Sequence, residues 1–343
     1  ISREITEKLR LKLTSEQQLR LAKGEAVNPE AYGHYIRGRY HWNRRTVVEV
    51  KKSIESFQQA IAADPSYALA YSGLADAYYS QSNTNLSPNE AVPLARASVM
   101  RALELDDQLA EAHTVLGVIK WRYDWDEKGA VAEFRRAAEL NPNYSIAWQR
   151  YGLFLIYQKQ FETGRAELLK AQQLDPLSLT ISSNVALSYY FERRYDPAIE
   201  QLRRTLELDQ NFPYVHLFFG WVWEQKKDFA QAITSFQRAT QIDDTTVTQA
   251  YLAHGYALSG NRAEAEKILA ELQKRSTTSY VSPYYLAVIH TGLGENEKAL
   301  DDLQRGVADR SDSMVLLGVE PKFDSLRSSA RFGEILSRVG LSP

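Results

Sequence analysis

Hydrophobic and small residues recur along this chain with a period of 34 positions. In one half of each period a bulky residue directly precedes a small one, as in Tyr151-Gly152, and in the other half a small residue precedes a bulky one by four positions, as in Ala198 and Leu202. Because four positions bring two side chains to the same face of a helix, the pattern predicts two amphipathic helices per period. Polar residues 34 positions apart mark the ends of the second helices: Asn141, Asp175, Asp209 and Asp243.

Helix pairs of this kind cannot bury their apolar faces alone, so successive pairs must stack on one another. We therefore expect an all-α solenoid of about eight helix pairs. The second unit carries a polar insertion, in which Ser87-Pro88-Asn89-Glu90 has the spacing of a helix-capping box. The units are expected to begin near Ala31, Leu69, Glu111, Ile146, Thr180, Tyr214, Val247 and Val281.

Both ends of the chain depart from the period. Ile1, Ile5 and Leu9 have helical spacing, and Phe332 and Ile335 belong to an amphipathic pattern that suits a capping helix over the last exposed face. We divide the chain into an N-terminal helical segment (1–30), a repeat array (31–311) and a C-terminal capping segment (312–343). The chain starts at Ile rather than Met, so we interpret its first segment as the end of an upstream domain.

The repeating landmarks resemble those of the tetratricopeptide repeat. In one unit Trp148, Gly152, Ala171 and Pro176 match the family's positions, and Ala68-Leu69-Ala70-Tyr71 reads like the family's first helix. The resemblance implies a right-handed superhelix of about eight helix-turn-helix repeats, in which the first helices line a concave groove. It also implies a scaffold that binds a protein or peptide.

A second resemblance concerns the ends of the array. Gly38-Arg39-Tyr40 and Pro321-Lys322-Phe323-Asp324 are similar to the start and the close of the repeat region in bacterial signalling proteins that also carry a TolB-like domain. In that group the catalytic or DNA-binding parts lie upstream and are serine/threonine kinases, adenylate cyclases or winged-helix regulators. The resemblance implies that this chain is the C-terminal interaction region of such a protein.

Composition and charge exclude several other functions. A net charge of −2 gives no general attraction to nucleic acid or to anionic membranes, and no cysteine is present to form a disulfide or a thiolate metal site. No apolar stretch approaches the length of a membrane-spanning helix, so we expect no membrane insertion by this segment. The compartment stays open: a soluble segment favours the cytoplasm, or the periplasm if the parent protein is anchored in a membrane.

No enzyme motif, metal-ligand set or cofactor loop is present. Gly292-Leu293-Gly294 is interpreted as a turn rather than a phosphate loop, and His113 and His216 stand where other units place a packing aromatic residue. We therefore expect no catalytic residue, no metal and no cofactor. The basic and aromatic stretch 37–45 is assigned to the structure of the first unit, with an anion-binding patch as the weaker alternative.

The concave face is the candidate site. Because the residues offset from the packing stripe face the groove in the tetratricopeptide family, the resemblance implies a partner-binding set that is mostly aromatic and apolar. That set is Arg37, Tyr40, Asp76, Tyr79, Trp121, Leu153, Tyr157, Leu187, Tyr190, Phe191, Trp221 and Tyr284. Tyr and Trp suit both binding and packing, so the alternative that these residues only pack between first helices stays open.

We infer a protein-interaction scaffold whose aromatic groove binds a peptide, a protein or another copy of the chain. The alternative is a regulatory or dimerising segment that acts on an attached kinase, cyclase or DNA-binding domain. The groove lacks the Lys and Asn arrangement with which some family members clamp the C-terminal carboxylate of chaperones.

Overall fold

The computed structural model describes residues 28–82 and 86–342, which form seventeen α-helices and no extended strand. The first eight are α1 (Pro29–Asn43), α2 (Val47–Ala63), α3 (Ala68–Gln81), α4 (Pro88–Leu105), α5 (Ala110–Ile119), α6 (Glu127–Leu140), α7 (Ser145–Tyr157) and α8 (Phe161–Leu174). The others are α9 (Leu179–Phe191), α10 (Tyr195–Leu208), α11 (Pro213–Gln225), α12 (Phe229–Ile242), α13 (Thr246–Leu258), α14 (Arg262–Arg275), α15 (Pro283–Gly292), α16 (Asn296–Ala308) and α17 (Ala330–Arg338).

Helices α1 to α16 form eight successive helix pairs, and each pair packs against the next. The first helix of every pair begins within two residues of its predicted start. The all-α solenoid predicted from the period is therefore confirmed. The predicted N-terminal helix at Ile1, Ile5 and Leu9 lies outside the described residues.

Close approach within each pair explains the small residues of the period. A Cβ atom on Gly117 would lie 2.7 Å from the Phe134 ring, and a Cβ atom on Gly152 would lie 2.8 Å from the backbone oxygen of Gly164. Distances this short leave no room for a side chain. The bulky residue of the second helix therefore fills the space that the glycine of the first helix leaves free.

The turn inside a pair contains a residue in the left-handed conformation. Lys159, Arg193 and Lys227 have φ angles of 63°, 66° and 62°, and Gly294 takes the same place at 74°. This conformation ends the first helix and reverses the chain. In the first pair the position belongs to Arg45, with a φ of 60°, and the turn directs its side chain towards the interior of the superhelix.

After α16 the chain turns back into the concave groove. Two short 3₁₀ helices, Asp312–Leu316 and Pro321–Leu326, lie against the inner surfaces of the first helices, and α17 then packs on α16. We call residues 309–328 the inner segment. The amphipathic pattern at Phe332 and Ile335 does form a helix that covers the end of the stack, with both side chains buried.

Candidate functional site

The inner segment is bound to the groove by charged and hydroxyl side chains. Asp312 accepts hydrogen bonds from the Tyr79 hydroxyl and from Arg122, the latter at 2.6 Å. Glu320 accepts one from the Tyr190 hydroxyl at 2.8 Å. Burial is the main cause that raises the pKa of Tyr79 and of Tyr190, and the neighbouring carboxylates add to it, so both hydroxyls stay protonated and donate.

Lys322 is held in a cage of aromatic rings and carboxylates. Its Nζ atom lies 3.3 Å from Glu224 and donates to the Tyr190 hydroxyl at 3.1 Å. The same atom lies 4.8 Å from the centre of the Trp221 ring and 5.2 Å from that of Tyr251. The side chains of Lys322 and Glu224 are fully buried.

The carboxylate of Glu224 is charged because of its neighbours. Burial alone would raise its pKa, but His254 at 2.7 Å and Lys322 hold the pKa of Glu224 below its usual value. A buried ion of either sign is costly unless it is paired. The cage therefore fixes the inner segment at one register in the groove.

Most of the predicted partner-binding residues are buried in this arrangement. Tyr190 and Tyr284 lie beneath the inner segment, where Tyr284 packs edge-on against Phe323 at 5.4 Å between ring centres. Phe191 packs between neighbouring aromatic rings. Six of the predicted residues line the part of the groove that the inner segment leaves open: Tyr79, Trp121, Leu153, Tyr157, Leu187 and Trp221.

The remaining three predicted residues lie elsewhere. Asp76 is buried and accepts a hydrogen bond from Arg150 at 2.6 Å, beside the open part of the groove. Tyr40 is 56% exposed on α1 and accepts a hydrogen bond from Arg44, and Arg37 is exposed and contacts His34. Arg37 and Tyr40 do not line the groove, because the α1 face that carries them points away from it.

The open part of the groove is a cavity of about 330 Å³, which we call the open cavity. Its walls come from the first helices of successive pairs, from the α1–α2 turn and from the inner segment. The apolar members of the wall are Val47, Val50, Val118, Leu153, Leu187, Leu217, Phe218, Val247 and Leu316. Val47 in the first pair and Val247 in the seventh therefore face the same space, which shows how tightly the superhelix turns.

Several residues that build this site were missed by the sequence analysis. Arg122, Arg150, Glu224, Glu320 and Lys322 all make buried contacts in the groove. One signal for the last two was available: Glu320 directly follows the mostly apolar run Met314–Val319, and Lys322 comes two positions later, outside any helical period. The other three residues give no such signal in the sequence. Their burial becomes visible only when the helix pairs are stacked.

The histidines at packing positions share a structural role with tryptophan. His113, Trp148 and His216 each place a ring nitrogen 2.8–3.0 Å from the backbone oxygen of the residue six positions earlier. These hydrogen bonds therefore stabilise the turn that connects each helix pair to the next. Among residues 28–82 and 86–342 there is no cluster of three His, Asp or Glu side chains that could hold a metal ion. The helices described in the same ranges are all too short or too polar to cross a membrane.

Comparison with known proteins agrees with this architecture. Residues 49–82 match a family model described as TPR repeat, and residues 186–245 match one described as tetratricopeptide repeat. The chain is 28% identical to the type IV pilus assembly protein PilF of Pseudomonas aeruginosa over 140 residues. These residues are 40% of this chain. The alignment spans only 55% of that relative's length.

Two solved structures have the same fold along most of the chain. Yeast Tom70 has a TM-score of 0.54 and 16% identity, with 91% of this chain and 68% of that chain covered. Human IFIT1 has a TM-score of 0.56 and 14% identity, with 85% and 68% covered. Identities this low show the fold alone. The two family matches show that the chain contains tetratricopeptide repeats, and the period and the left-handed turns agree with them.

Proposed function

We propose that the chain is a protein-interaction scaffold whose open cavity takes an extended segment of a protein or peptide partner. Tetratricopeptide repeats mediate protein–protein interaction, and nothing in the described residues points to catalysis. The observation that carries the proposal is the inner segment itself. The groove already holds a stretch of chain that contains no α-helix, through side-chain contacts from several first helices, and the open cavity continues the same surface.

The regulatory alternative is favoured by the same segment. Because the inner segment occupies one half of the groove, the chain carries an internal ligand, which is what a segment that restrains an attached kinase, cyclase or DNA-binding domain would need. The bacterial signalling context rests on the resemblance at Gly38-Arg39-Tyr40 and Pro321-Lys322-Phe323-Asp324. The likeness to PilF supports a scaffold that assists assembly, without identifying the assembly.

The proposal is tested by site-specific photo-crosslinking in the source cells. A photoreactive amino acid replaces Val247, which is half-buried in the wall of the open cavity, or Leu177, which is 75% exposed outside it. We expect a partner band from position 247 and not from position 177. The substitution Val47→Arg on the opposite wall should remove this band, because it places a charge in the apolar part of the cavity.

The same bands from both positions, or a position-247 band that persists in Val47→Arg, would contradict a partner in the open cavity. Circular dichroism of each variant checks that the helices are retained. A position-247 crosslink that joins two copies of the chain would instead support the dimerising alternative.

A further inference from the structure

The charges around the open cavity do not balance. Three guanidinium groups lie in its wall, from Arg45, Arg122 and Arg150. Arg122 pairs with Asp312 at 2.6 Å, and Arg150 pairs with Asp76 at 2.6 Å. Arg45 forms neither a hydrogen bond through its side chain nor an ion pair with any residue that the structure describes. One positive charge is therefore left without a counterion among the residues that the structure describes.

Arg45 is partly buried and is held in place. The left-handed turn directs it inward, and its guanidinium lies 3.4 Å from the centre of the Trp42 ring. Its Nε atom is buried and has no partner among the described residues. Arg39 lies over the same ring at 4.8 Å, so a second positive charge is close by. A cation that is partly removed from water and has no anion beside it is unfavourable.

The pKa values of the two arginines shift in opposite directions. Burial is the main cause that lowers the pKa of Arg45 to about 10, and the charges of Arg150 and Arg39 lower it further against the pull of Asp76. Burial opposes the charge of Arg39 as well, yet Tyr35, Tyr144, Asp76 and Glu111 together raise its pKa. The charge of Arg45 is therefore opposed mainly by its removal from water, and an anion beside the guanidinium would offset that cost.

The rest of the cavity wall indicates what kind of group would accompany the anion in a ligand. Leu153, Leu187 and Leu217 give it an apolar wall, and a volume of about 330 Å³ lies within the range of small-molecule sites. Ser183 and Trp221 also stand in the wall, and each carries a buried polar atom without a hydrogen-bond partner among the described residues. The site thus combines one cationic end with an apolar body.

We propose that the open cavity is a binding site for a small organic acid with an apolar body, whose carboxylate pairs with the guanidinium of Arg45. A carboxylate forms two parallel hydrogen bonds with a guanidinium, and the strength of such a pair rises away from water. Since the same cavity is proposed for the partner segment, the acid and the partner exclude each other. The scaffold is then controlled by a small effector, which goes beyond the binding of a partner.

The test is calorimetric titration of the whole chain with two acids, 4-phenylbutyrate and octanoate, and with the neutral amide of each. We expect the acids to bind and the amides to bind about tenfold more weakly or worse, because one charge-assisted pair contributes on the order of 1.4 kcal/mol or more. Arg45→Gln should reduce acid binding to the level of the amides. Arg45→Lys should retain part of it.

The neighbouring residue provides the matched control. Arg44 is largely exposed and contacts Tyr40, so Arg44→Gln removes the same charge without touching the cavity and should leave acid binding unchanged. If Arg45→Gln does not fold, Val247→Trp narrows the cavity from the opposite wall and should abolish acid binding by itself. Equal binding of acids and amides, unchanged binding in Arg45→Gln or Val247→Trp, or no binding of either acid would overturn the proposal. None of these measurements involves a protein partner. A negative result for acid binding therefore leaves the proposed scaffold function untouched, and that function is tested separately by crosslinking.

Discussion

At the scale of single residues, the end of α12 places two carboxylates side by side. Asp243 caps this helix and is partly buried, and Asp244 follows it directly. Burial, and then repulsion from Asp244, raise the pKa of Asp243 to about 6. The carboxyl is therefore more easily protonated in the folded chain than in the unfolded chain. Folding stability contributed by this residue must fall as the pH rises from about 4 to about 6.

The variant Asp243→Asn tests this sign. It removes the charge and should stabilise the chain by about 1–2 kcal/mol at pH 7.5, since the pKa difference is about two units and the group keeps some contact with water. Near pH 4 the gain should vanish. Urea unfolding between pH 4 and pH 8 measures both. The control is Asp209→Asn, at the same position of the preceding period and exposed; an equal gain there would show that burial is not the cause.

At the scale of elements, repetition decides what a sequence can predict. The starts of the helix pairs were predictable because each one, such as Ile146 or Thr180, is supported by equivalent residues in the other periods. The inner segment occurs once, so no period marks it, and its two 3₁₀ helices lack an amphipathic pattern. Tyr190 and Tyr284 contact the inner segment, and this coverage depends on where residues about 40 to 130 positions later fold back, which no local pattern marks.

The attachment of the inner segment can be measured through Lys322. Lys322→Met keeps the shape of the side chain but removes the ammonium group that pairs with Glu224 and Glu320 in a buried site and leaves Glu224 with His254 alone, so we expect a loss of about 3 kcal/mol in the free energy of unfolding. Chemical denaturation gives the value. Lys298→Met, which replaces an exposed lysine paired with Glu295, should cost less than about 1 kcal/mol. Equal losses in the two variants would mean that the cage does not hold the segment.

At the scale of the whole molecule, the inner segment changes how repeats are coupled. In a plain solenoid each repeat contacts only its neighbours, and a change at one end stays local. Here Asp312, which directly follows the eighth pair along the chain, contacts Tyr79 in the second pair and Arg122 between the two helices of the third pair. The end of the array is therefore tied directly to its beginning.

The variant Asp312→Ala tests that coupling by hydrogen exchange. We expect amides around Tyr79 to exchange about tenfold faster or more, together with those of the inner segment, because both lose the same contact. Asp301→Ala, which removes a surface pair with Arg331 near the same end, should leave the second pair unchanged. Faster exchange confined to the last pair and the inner segment in Asp312→Ala would show that the solenoid behaves as a nearest-neighbour stack.

The contact between Tyr79 and Asp312 also has a consequence for the order in which the chain folds. Its partners are 233 residues apart, and contacts between such distant residues form late and slowly. During synthesis the helix pairs emerge from the ribosome one after another and can stack at once, whereas the inner segment emerges after all of them. Until then the rings of Tyr190, Trp221 and Tyr251 face an open groove. The nascent chain thus passes through a stage at which an aromatic surface is exposed, and the emergence of the inner segment is what closes it.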